Sequence, residues 1–241
     1  MNARALVVLA AVSCSSSNEP QTCKPNAAGY APVIDPADFS TTIDNKYLSY
    51  LPGTMARYVQ SSGDVVETDV MSETKVVMGV TCRVVHDFLK SKTGELLEDT
   101  YDYYAQDKAG NVWYFGEDTK AFVGSQVSTA GAWLAGVACA RPGIVMKASP
   151  QVGDKYRQEY LEGEAEDEAE VVALDEKITV PYGTLAGCIK TKELSRLAPG
   201  DLENKYYCPG VFGPVRSVDV GSIDSGKSED LVSVNGKTAG P

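Results

Sequence analysis

The 241-residue chain is 43% hydrophobic and 8% aromatic, which is enough apolar material for one large β domain or two small domains. Its formal net charge of −11 at pH 7 opposes the neutralisation of phosphates on which nucleic-acid binding depends. The same charge argues against docking on anionic lipid through a basic patch. We therefore expect no nucleic-acid partner; an acidic surface that keeps an exported protein soluble, or that meets a cation or a basic partner, is consistent with this composition.

The first fourteen residues have the organisation of an export signal. Arg4 precedes an apolar run over residues 5–12, and small residues then lead to Cys14. The run is much shorter than the roughly 20 residues of a membrane-spanning helix and suits the core of a cleaved signal. With Cys14 followed by three serines, the stretch resembles a bacterial lipoprotein signal. The resemblance implies a signal peptide at 1–13 and a lipid on Cys14; a plain cleaved signal or a start site further upstream are the alternatives.

The next stretch lacks any hydrophobic periodicity. Residues 15 to about 40 are rich in Ser, Pro, Asn and Ala, a composition typical of a flexible connection. We predict a lipidated N-terminus and tether over residues 14–40, followed by a single antiparallel β domain over residues 41–241.

From about residue 47 onward, short runs with apolar–polar alternation are separated by turns that contain glycine. The predicted strands are 55–60, 64–71, 74–78, 80–88, 96–106, 112–115, 155–161, 165–174, 177–180, 188–194, 204–208, 214–220 and 231–234. Their spacing is typical of an all-β, mainly antiparallel fold. We expect a strongly curved sheet, as an open barrel or a sandwich, with at most one short helix at 129–138.

Several of these runs are similar to a family of uncharacterised bacterial exported proteins. The similar runs are 74–82, 98–107, 110–117, 156–160, 180–184 and 205–211. The last run, a Lys-Tyr-Tyr strand that enters a Pro-Gly turn, also resembles periplasmic lipoproteins with open barrels like those of lipoprotein carriers. The chain departs from that pattern at Cys208 and Pro214. The resemblance implies a curved sheet and an envelope location, but no reaction.

The chain has six cysteines, and an exported protein usually oxidises such residues to disulfides. No pair has the C-x-x-C spacing of a metal site, and with one histidine a Cys/His zinc site is not expected. The sequence leaves the connectivity open. Strand patterns and Pro-Gly turns favour two pairs and one free thiol: Cys82–Cys188, Cys139–Cys208, and Cys23 free in the tether.

Polar residues on both faces of the predicted strand 96–106 indicate a ligand pocket. Alternation places Asp102 and Tyr104 on one face and Asp99 on the other. Carboxylates beside tyrosines on the concave side of a curved sheet suit a polar pocket. The predicted ligand-binding residues are Asp99, Asp102, Tyr104, Trp113 and Arg157. In the alternative interpretation, the acids pair with Arg83, Arg157 or Lys205, and Trp113 only packs.

An acidic run at residues 162–170 is the candidate for a metal site. In a strand, Glu166, Glu168 and Glu170 share one face, and carboxylate oxygens are ligands that Ca²⁺ prefers. The chain lacks a Ca²⁺-binding loop motif. A solvated strand edge that discourages edge pairing and a contact for a basic partner are the alternatives, and we expect no other cofactor.

No catalytic motif occurs in the chain: there is no G-x-S-x-G elbow, H-E-x-x-H helix, P-loop or G-x-G-x-x-G. We therefore predict a protein that is not an enzyme. The leading hypothesis is a lipid-anchored protein of the bacterial envelope, at the periplasmic or surface side of the outer membrane, that binds a small amphipathic ligand or a cation on its curved sheet. The alternatives are an assembly component that docks an envelope protein through its acidic face and, for location, a secreted protein.

Overall fold

In the computed structural model, residues 29–221 and 225–239 are described. Their regular structure is almost entirely antiparallel β strand, with a short 3₁₀ helix at Pro36–Asp38. The strands are β1 Phe39–Ser40, β2 Ile43–Asp44, β3 Ser49–Tyr50, β4 Met55–Gln60, β5 Val65–Val77, β6 Val80–Lys90, β7 Leu96–Asp107, β8 Val112–Val123, β9 Gln126–Ser128, β10 Trp133–Leu134, β11 Arg141–Met146, β12 Lys155–Arg157, β13 Glu159–Tyr160, β14 Asp167–Val180, β15 Gly183–Ser195, β16 Leu202–Tyr207, β17 Pro214–Asp219 and β18 Ser228–Val234. Within the described ranges, no helix is long and apolar enough to cross a membrane.

The main sheet curves until its two edges nearly meet. Its strand path runs β12-β14-β15-β16-β17-β18-β4-β5-β6-β7-β8-β11-β13. Strand β12 pairs with β14, and β13 pairs with β11. Because only Gln158 separates β12 from β13, this short stretch bridges both edges and closes the sheet into a barrel. The predicted all-β fold with a strongly curved sheet is confirmed.

Several strands are longer than the alternation predicts. Strand β5 continues through the predicted break at residues 72–73, and the pairing shifts register between Val70 and Thr74. Strand β14 likewise joins two predicted strands, with register shifts between Val171 and Ile178. A bulge inserts a residue and reverses the phase of the alternation while pairing continues. The sequence pattern therefore resembles two short strands where the chain has one.

The short helix expected at residues 129–138 is absent. Trp133 and Leu134 instead form β10, which pairs antiparallel with β8 opposite Glu117 and Gly116. Gly116 has φ of +136°, and a Cβ there would lie 2.4 Å from the Trp133 carbonyl oxygen. The close approach of the two backbones at a glycine stabilises a strand pair where small residues alone had suggested a helix.

Residues 43–50, which we call the plug, lie across one end of the barrel. The Asn45 side chain donates hydrogen bonds to the carbonyl oxygens of Gly110 and Lys147, at 2.8 and 3.2 Å. The amide of Gly210 donates to the Lys46 carbonyl oxygen at 2.9 Å. These acceptors and donors belong to turns after β7, β11 and β16, so the plug holds one end of the barrel together.

The plug also supplies apolar side chains to the core. Ile43 and Leu48 are buried, and the Tyr50 ring lies 5.1 Å from the rings of both Tyr104 and Phe212. Tilted aromatic contacts of this kind add to the free energy of burial. The hydrophobic core therefore includes side chains of the plug, which precedes the long strands of the barrel in the sequence.

The end of the predicted tether packs against the barrel. The Tyr30 hydroxyl donates to the Pro142 carbonyl oxygen at 2.8 Å, and the Phe39 ring makes an edge contact with Phe115 at 5.4 Å. Of the stretch 14–40, the residues from Tyr30 onward are thus tied to the domain. The predicted signal peptide, Cys14 and Cys23 lie outside the described residues.

The predicted disulfide pairs are wrong. Cys188 is bonded to Cys208, and Cys82 is a buried free thiol. Cys188 and Cys208 flank the register pair Ile189 and Tyr207 on neighbouring strands, which brings their Cα atoms to 4.0 Å. Strand β6, which carries Cys82, is not a neighbour of β15 in the sheet. Cys139 is disulfide-bonded, but not to Cys208.

Proteolysis without reductant should release a linked pair of peptides that contain Cys188 and Cys208, because the strand register holds these residues side by side. Mass spectrometry of the digest, before and after reduction, checks this. Recovery of a peptide that joins Cys82 to Cys188 would contradict the observed pairing.

Candidate functional site

Carboxyl groups from many strands face the barrel interior, and we call them the acidic lining. The acidic lining consists of Asp87, Glu98, Asp102, Glu117, Glu159, Asp167, Glu193, Glu203 and Glu229. Register supports a shared face: Asp102 lies opposite Glu117, and Glu193 lies opposite Glu203. Residues directly opposite on neighbouring strands project from the same side of a sheet.

Electrostatic contacts across the barrel show that these side chains converge. The carboxyl of Glu159 on β13 is affected by Asp167 on β14, Asp102 on β7 and Lys205 on β16. Strands β7 and β16 are far apart along the sheet, and such influence falls off with distance. The side chains therefore meet in the interior of the barrel.

Part of the acidic lining lies at the end of the barrel opposite the plug. Glu98 and Glu203 occur close to the beginnings of β7 and β16. The turns that follow these strands, at Gly110 and Gly210, contact the plug. Because a strand extends about 3.3 Å per residue, the beginnings of β7 and β16 lie at the far end.

Deeper in the barrel, two carboxyl groups hold their protons unusually strongly. The Tyr114 hydroxyl donates to Asp102 Oδ1. Burial, together with the neighbouring carboxylate of Asp87, raises the pKa of Asp102 to about 8. Burial and the nearby Asp102 raise the pKa of Glu117 well above its ordinary value. Near neutral pH Asp102 is therefore largely protonated, and a bound cation would favour the ionisation of both groups.

Lys205 supplies a buried positive charge within the acidic lining. Its Nζ lies 2.7 Å from Glu193 Oε2 and 3.2 Å from Glu203 Oε2. Glu193 also accepts hydrogen bonds from Thr191 at 2.9 Å and from Tyr207 at 3.1 Å. Although burial opposes ionisation, Lys205 and these bonds keep the pKa of Glu193 below its ordinary value. Burial also opposes the charge of Lys205, but Glu193 and Glu203 raise its pKa.

A small cavity lies beside Lys205. Its volume is about 20 Å³, which is room for a single water molecule. It is lined by Leu48, Tyr50, Tyr104, Val145, Lys205, Tyr207 and Pro214. The ammonium group and the three tyrosines make this a polar niche between the plug and the acidic lining.

Asp87 Oδ1 and the Tyr156 hydroxyl are among five buried side-chain atoms without a hydrogen-bond partner in the described part of the chain. Leaving such groups unsatisfied costs about 1–3 kcal/mol each. Tyr156 lies opposite Ala169 on β14, and its hydroxyl is affected by Glu193 and Lys205. The barrel interior therefore offers both an acceptor and a hydroxyl to a bound molecule.

The structure brings together two of the five predicted ligand-binding residues. Asp102 and Tyr104 both face the interior, where the Tyr104 ring stacks on Tyr114 at 4.8 Å. This placement explains why β7 has polar residues on both faces: its inner face lies among the other carboxyl groups of the acidic lining. Its outer face is covered in part, and Tyr103 on that face is buried. The predicted pairing of β7 acids with Arg83, Arg157 or Lys205 is not seen.

The other three predicted ligand-binding residues lie outside this site. Asp99 is paired with His86 on the outer face of the sheet. Trp113 donates its ring N–H to a carboxylate of β7 at 2.8 Å. Arg157 is 3.3 Å from Glu168 and stacks over an aromatic ring of β13. Each has a local partner, so these residues are not positioned to contact a ligand held by Asp102.

The three predicted metal ligands have separate partners. Glu166 accepts a hydrogen bond from the Gly163 amide at 2.9 Å, and Glu168 holds Arg196 through bonds of 2.8 and 3.2 Å. Glu170 lies 3.3 Å from a lysine of β12. No group of three or more potential ligand residues in the described ranges is arranged to hold a metal. The Ca²⁺ site stays a prediction that this geometry does not support.

Sequence reasoning missed Glu117, Glu159 and Glu193, and it named Lys205 only as a possible partner for the acids of β7. Lys205 lies two residues from the buried Tyr207, and Glu193 lies two residues from the buried Thr191. Because residues two apart in a strand share a face, Lys205 and Glu193 point inward like these neighbours. A charged residue in phase with buried neighbours is the signal that could have identified Glu193 and Lys205. Glu159 follows a strand interruption that no periodicity shows.

Comparisons with known proteins identify no family for this chain and one distant structural similarity. Neither a protein-family model nor a curated protein matches the chain. The fold is similar to the crystal structure of a "putative lipoprotein" from Parabacteroides distasonis, with 13% sequence identity, 78% of this chain and 97% of that chain covered, and a TM-score of 0.44. At that level of similarity, the acidic lining has to be interpreted from this chain's own residues.

Proposed function

We propose that the protein is a non-catalytic, lipid-anchored protein of the bacterial envelope whose barrel binds a small amphipathic molecule with a positive charge. The proposed ligand class rests on the convergence of the acidic lining inside the barrel. Lys205 forms ion pairs with Glu193 and Glu203. Asp102 and Glu117, in contrast, have a tyrosine and each other as neighbours. An organic cation would supply a positive charge that favours ionisation of Asp102 and Glu117.

Aromatic rings suit the apolar part of such a molecule. Tyr50, Tyr104 and Tyr114 form a continuous series, with ring centroids 5.1 and 4.8 Å apart. Ring faces attract cations as well as apolar chains. Because the pKa of Asp102 is about 8, a bound cation would release protons near neutral pH.

The envelope location rests on the N-terminal sequence. Cys14 follows a short apolar run and small residues, and the disulfide between Cys188 and Cys208 is consistent with an oxidising compartment. Metabolic labelling with palmitate, followed by intact mass measurement, should find acyl chains on Cys14. An unmodified chain in the cytosolic fraction would contradict the anchor.

A second candidate is an assembly component that docks a basic partner protein on its acidic face. The small volume of the cavity beside Lys205, about 20 Å³, favours this alternative, because drug-sized ligands occupy pockets of several hundred Å³. It predicts binding of a basic peptide without binding of a small cation.

Calorimetric titration with decyltrimethylammonium and with decyl sulfate tests the ligand class. We expect the ammonium compound to bind at least about tenfold more tightly, since one favourable charge pair in a buried site is worth roughly 1.4 kcal/mol or more. Repeating the titration in buffers of different ionisation enthalpy should reveal proton release.

The matched variants are Asp102→Asn with Glu117→Gln, and Glu73→Gln with Asp118→Asn. The first pair removes two ionisable carboxyl groups inside the barrel, whereas the second removes two carboxyl groups from exposed positions. We expect only the first pair to lose binding. Equal affinity for both amphiphiles, or equal loss in both variants, would contradict the proposal; binding of a basic peptide alone would support the second candidate.

A further inference from the structure

Four exposed apolar side chains lie near the tip of the β5–β6 hairpin, and we call them the outer apolar patch. They are Val33, Val76, Met78 and Val137, which are 94%, 64%, 46% and 56% exposed. Single exposed apolar residues are ordinary, but a group of them marks an interaction surface.

Close contacts connect the segments that carry the patch. The Met78 side chain lies 2.9 Å from where a Cβ of Gly136 would stand, next to Val137. Pro36 lies 3.1 Å from the corresponding position of Gly79. Val33 lies on the stretch between Pro36 and Tyr30, whose hydroxyl is bonded near the end of the Val137 loop. The hairpin tip, that loop and the incoming chain thus form one surface.

The backbone at Met78 has a conformation that methionine rarely adopts. Met78 and Gly79 form the two-residue turn of the hairpin, with φ of +51° and +80°. Turns with two positive φ values strongly prefer Asn, Asp or Gly, and a bulky residue with positive φ is an outlier. The chain keeps a flexible, apolar methionine where asparagine would fit the backbone better.

The N-terminal part of the chain joins the domain at this surface. Fourteen residues lie between Cys14 and Gly29, so the two are at most about 50 Å apart along an extended chain. A lipid on Cys14 would therefore keep Gly29, where the chain approaches the outer apolar patch, within about 50 Å of a membrane.

We propose that the outer apolar patch rests on the lipid surface to which Cys14 is anchored, with Met78 inserted at the level of the headgroups. This inference rests on the proposed lipid anchor, and it is independent of the ligand class. Shallow insertion of apolar side chains is a common mode of interfacial binding. Docking would give the barrel a defined orientation on the membrane.

The rate of methionine oxidation by peroxide tests this orientation without a substitution in the patch. Met78 and Met55 are similarly exposed, 46% and 55%, and Met55 serves as the internal control. In the acylated protein on phosphatidylcholine vesicles, we expect Met78 to oxidise at least about fivefold more slowly than in the unanchored Cys14→Ala chain. The rate at Met55 should stay the same.

The Met78→Asn variant provides a second measurement that does not depend on misfolding, because asparagine suits the turn. We expect its melting midpoint to be unchanged or higher, and its Cys14→Ala form to bind the vesicles several-fold more weakly than the chain with Met78. Equal oxidation rates at Met78 in both forms, with acyl chains found on Cys14 by mass spectrometry, would overturn the docking proposal alone. Absence of acyl chains would overturn the anchor and the docking together.

Discussion

Replacing Lys205 with methionine is expected to destabilise the protein by about 3–5 kcal/mol, because the change leaves a buried carboxylate without its counter-charge. Lys205 is 4% exposed and Glu193 is 6% exposed, and Lys205 Nζ is within 3.2 Å of both Glu193 and Glu203. Methionine fills a similar volume, so the loss reports on charge rather than on a cavity. Urea unfolding at pH 7 measures the difference in free energy.

Two comparisons separate the buried charge from ordinary surface effects. The double variant Lys205→Met with Glu193→Gln should recover most of the lost stability, because it removes the uncompensated carboxylate. Lys108→Met, at an ion pair with Asp38 in which the lysine is 71% exposed, should leave the unfolding free energy nearly unchanged. An unchanged stability of the Lys205→Met chain would show that the interior is hydrated and the pair is dispensable.

The stability of the protein should decrease as the pH rises from about 4 to about 8. In the unfolded chain Asp102 ionises near pH 4, whereas in the folded protein burial and Asp87 raise its pKa to about 8. Between these values the folded state binds a proton that the unfolded state does not. The contribution of this group is therefore complete below about pH 4 and is lost above about pH 8. Glu159, whose pKa burial and Asp167 raise to about 8, acts in the same direction.

The variant Asp102→Asn isolates this effect. Asparagine keeps an oxygen for the Tyr114 hydroxyl but cannot ionise, so at pH 9 we expect the variant to be more stable than the unmodified protein by at most about 5 kcal/mol. At pH 4 the two should be nearly equal, because the contribution of the protonated Asp102 is then almost complete. Melting midpoints measured from pH 4 to 9 check the prediction, with the exposed Asp118→Asn change as the control. A constant difference across the whole range would contradict it.

The inward orientation of Asp102 and Tyr104 could be predicted from the local sequence. Alternation within β7 correctly separates Asp102 and Tyr104 from Asp99, because strand geometry alternates side chains between faces regardless of what lies opposite. The overall β class was accessible for the same reason. The register shifts of β5 and β14 could not be predicted from the sequence, because the position of a bulge depends on pairing with a neighbouring strand.

The sequence by itself determined the strand composition, the acidic balance and the export-like N-terminus, since these depend on residues close together in the chain. Tertiary structure alone decided that Cys188 meets Cys208, that Gln158 interrupts the stretch that closes the barrel, and that Lys205 faces Glu193. The physical reason is that a carboxylate in a strand pattern has the same local signature on a wet surface and in a barrel interior. Only closure of the sheet, through contacts between distant strands, determines which carboxyl groups share a buried space and have their pKa values changed by one another.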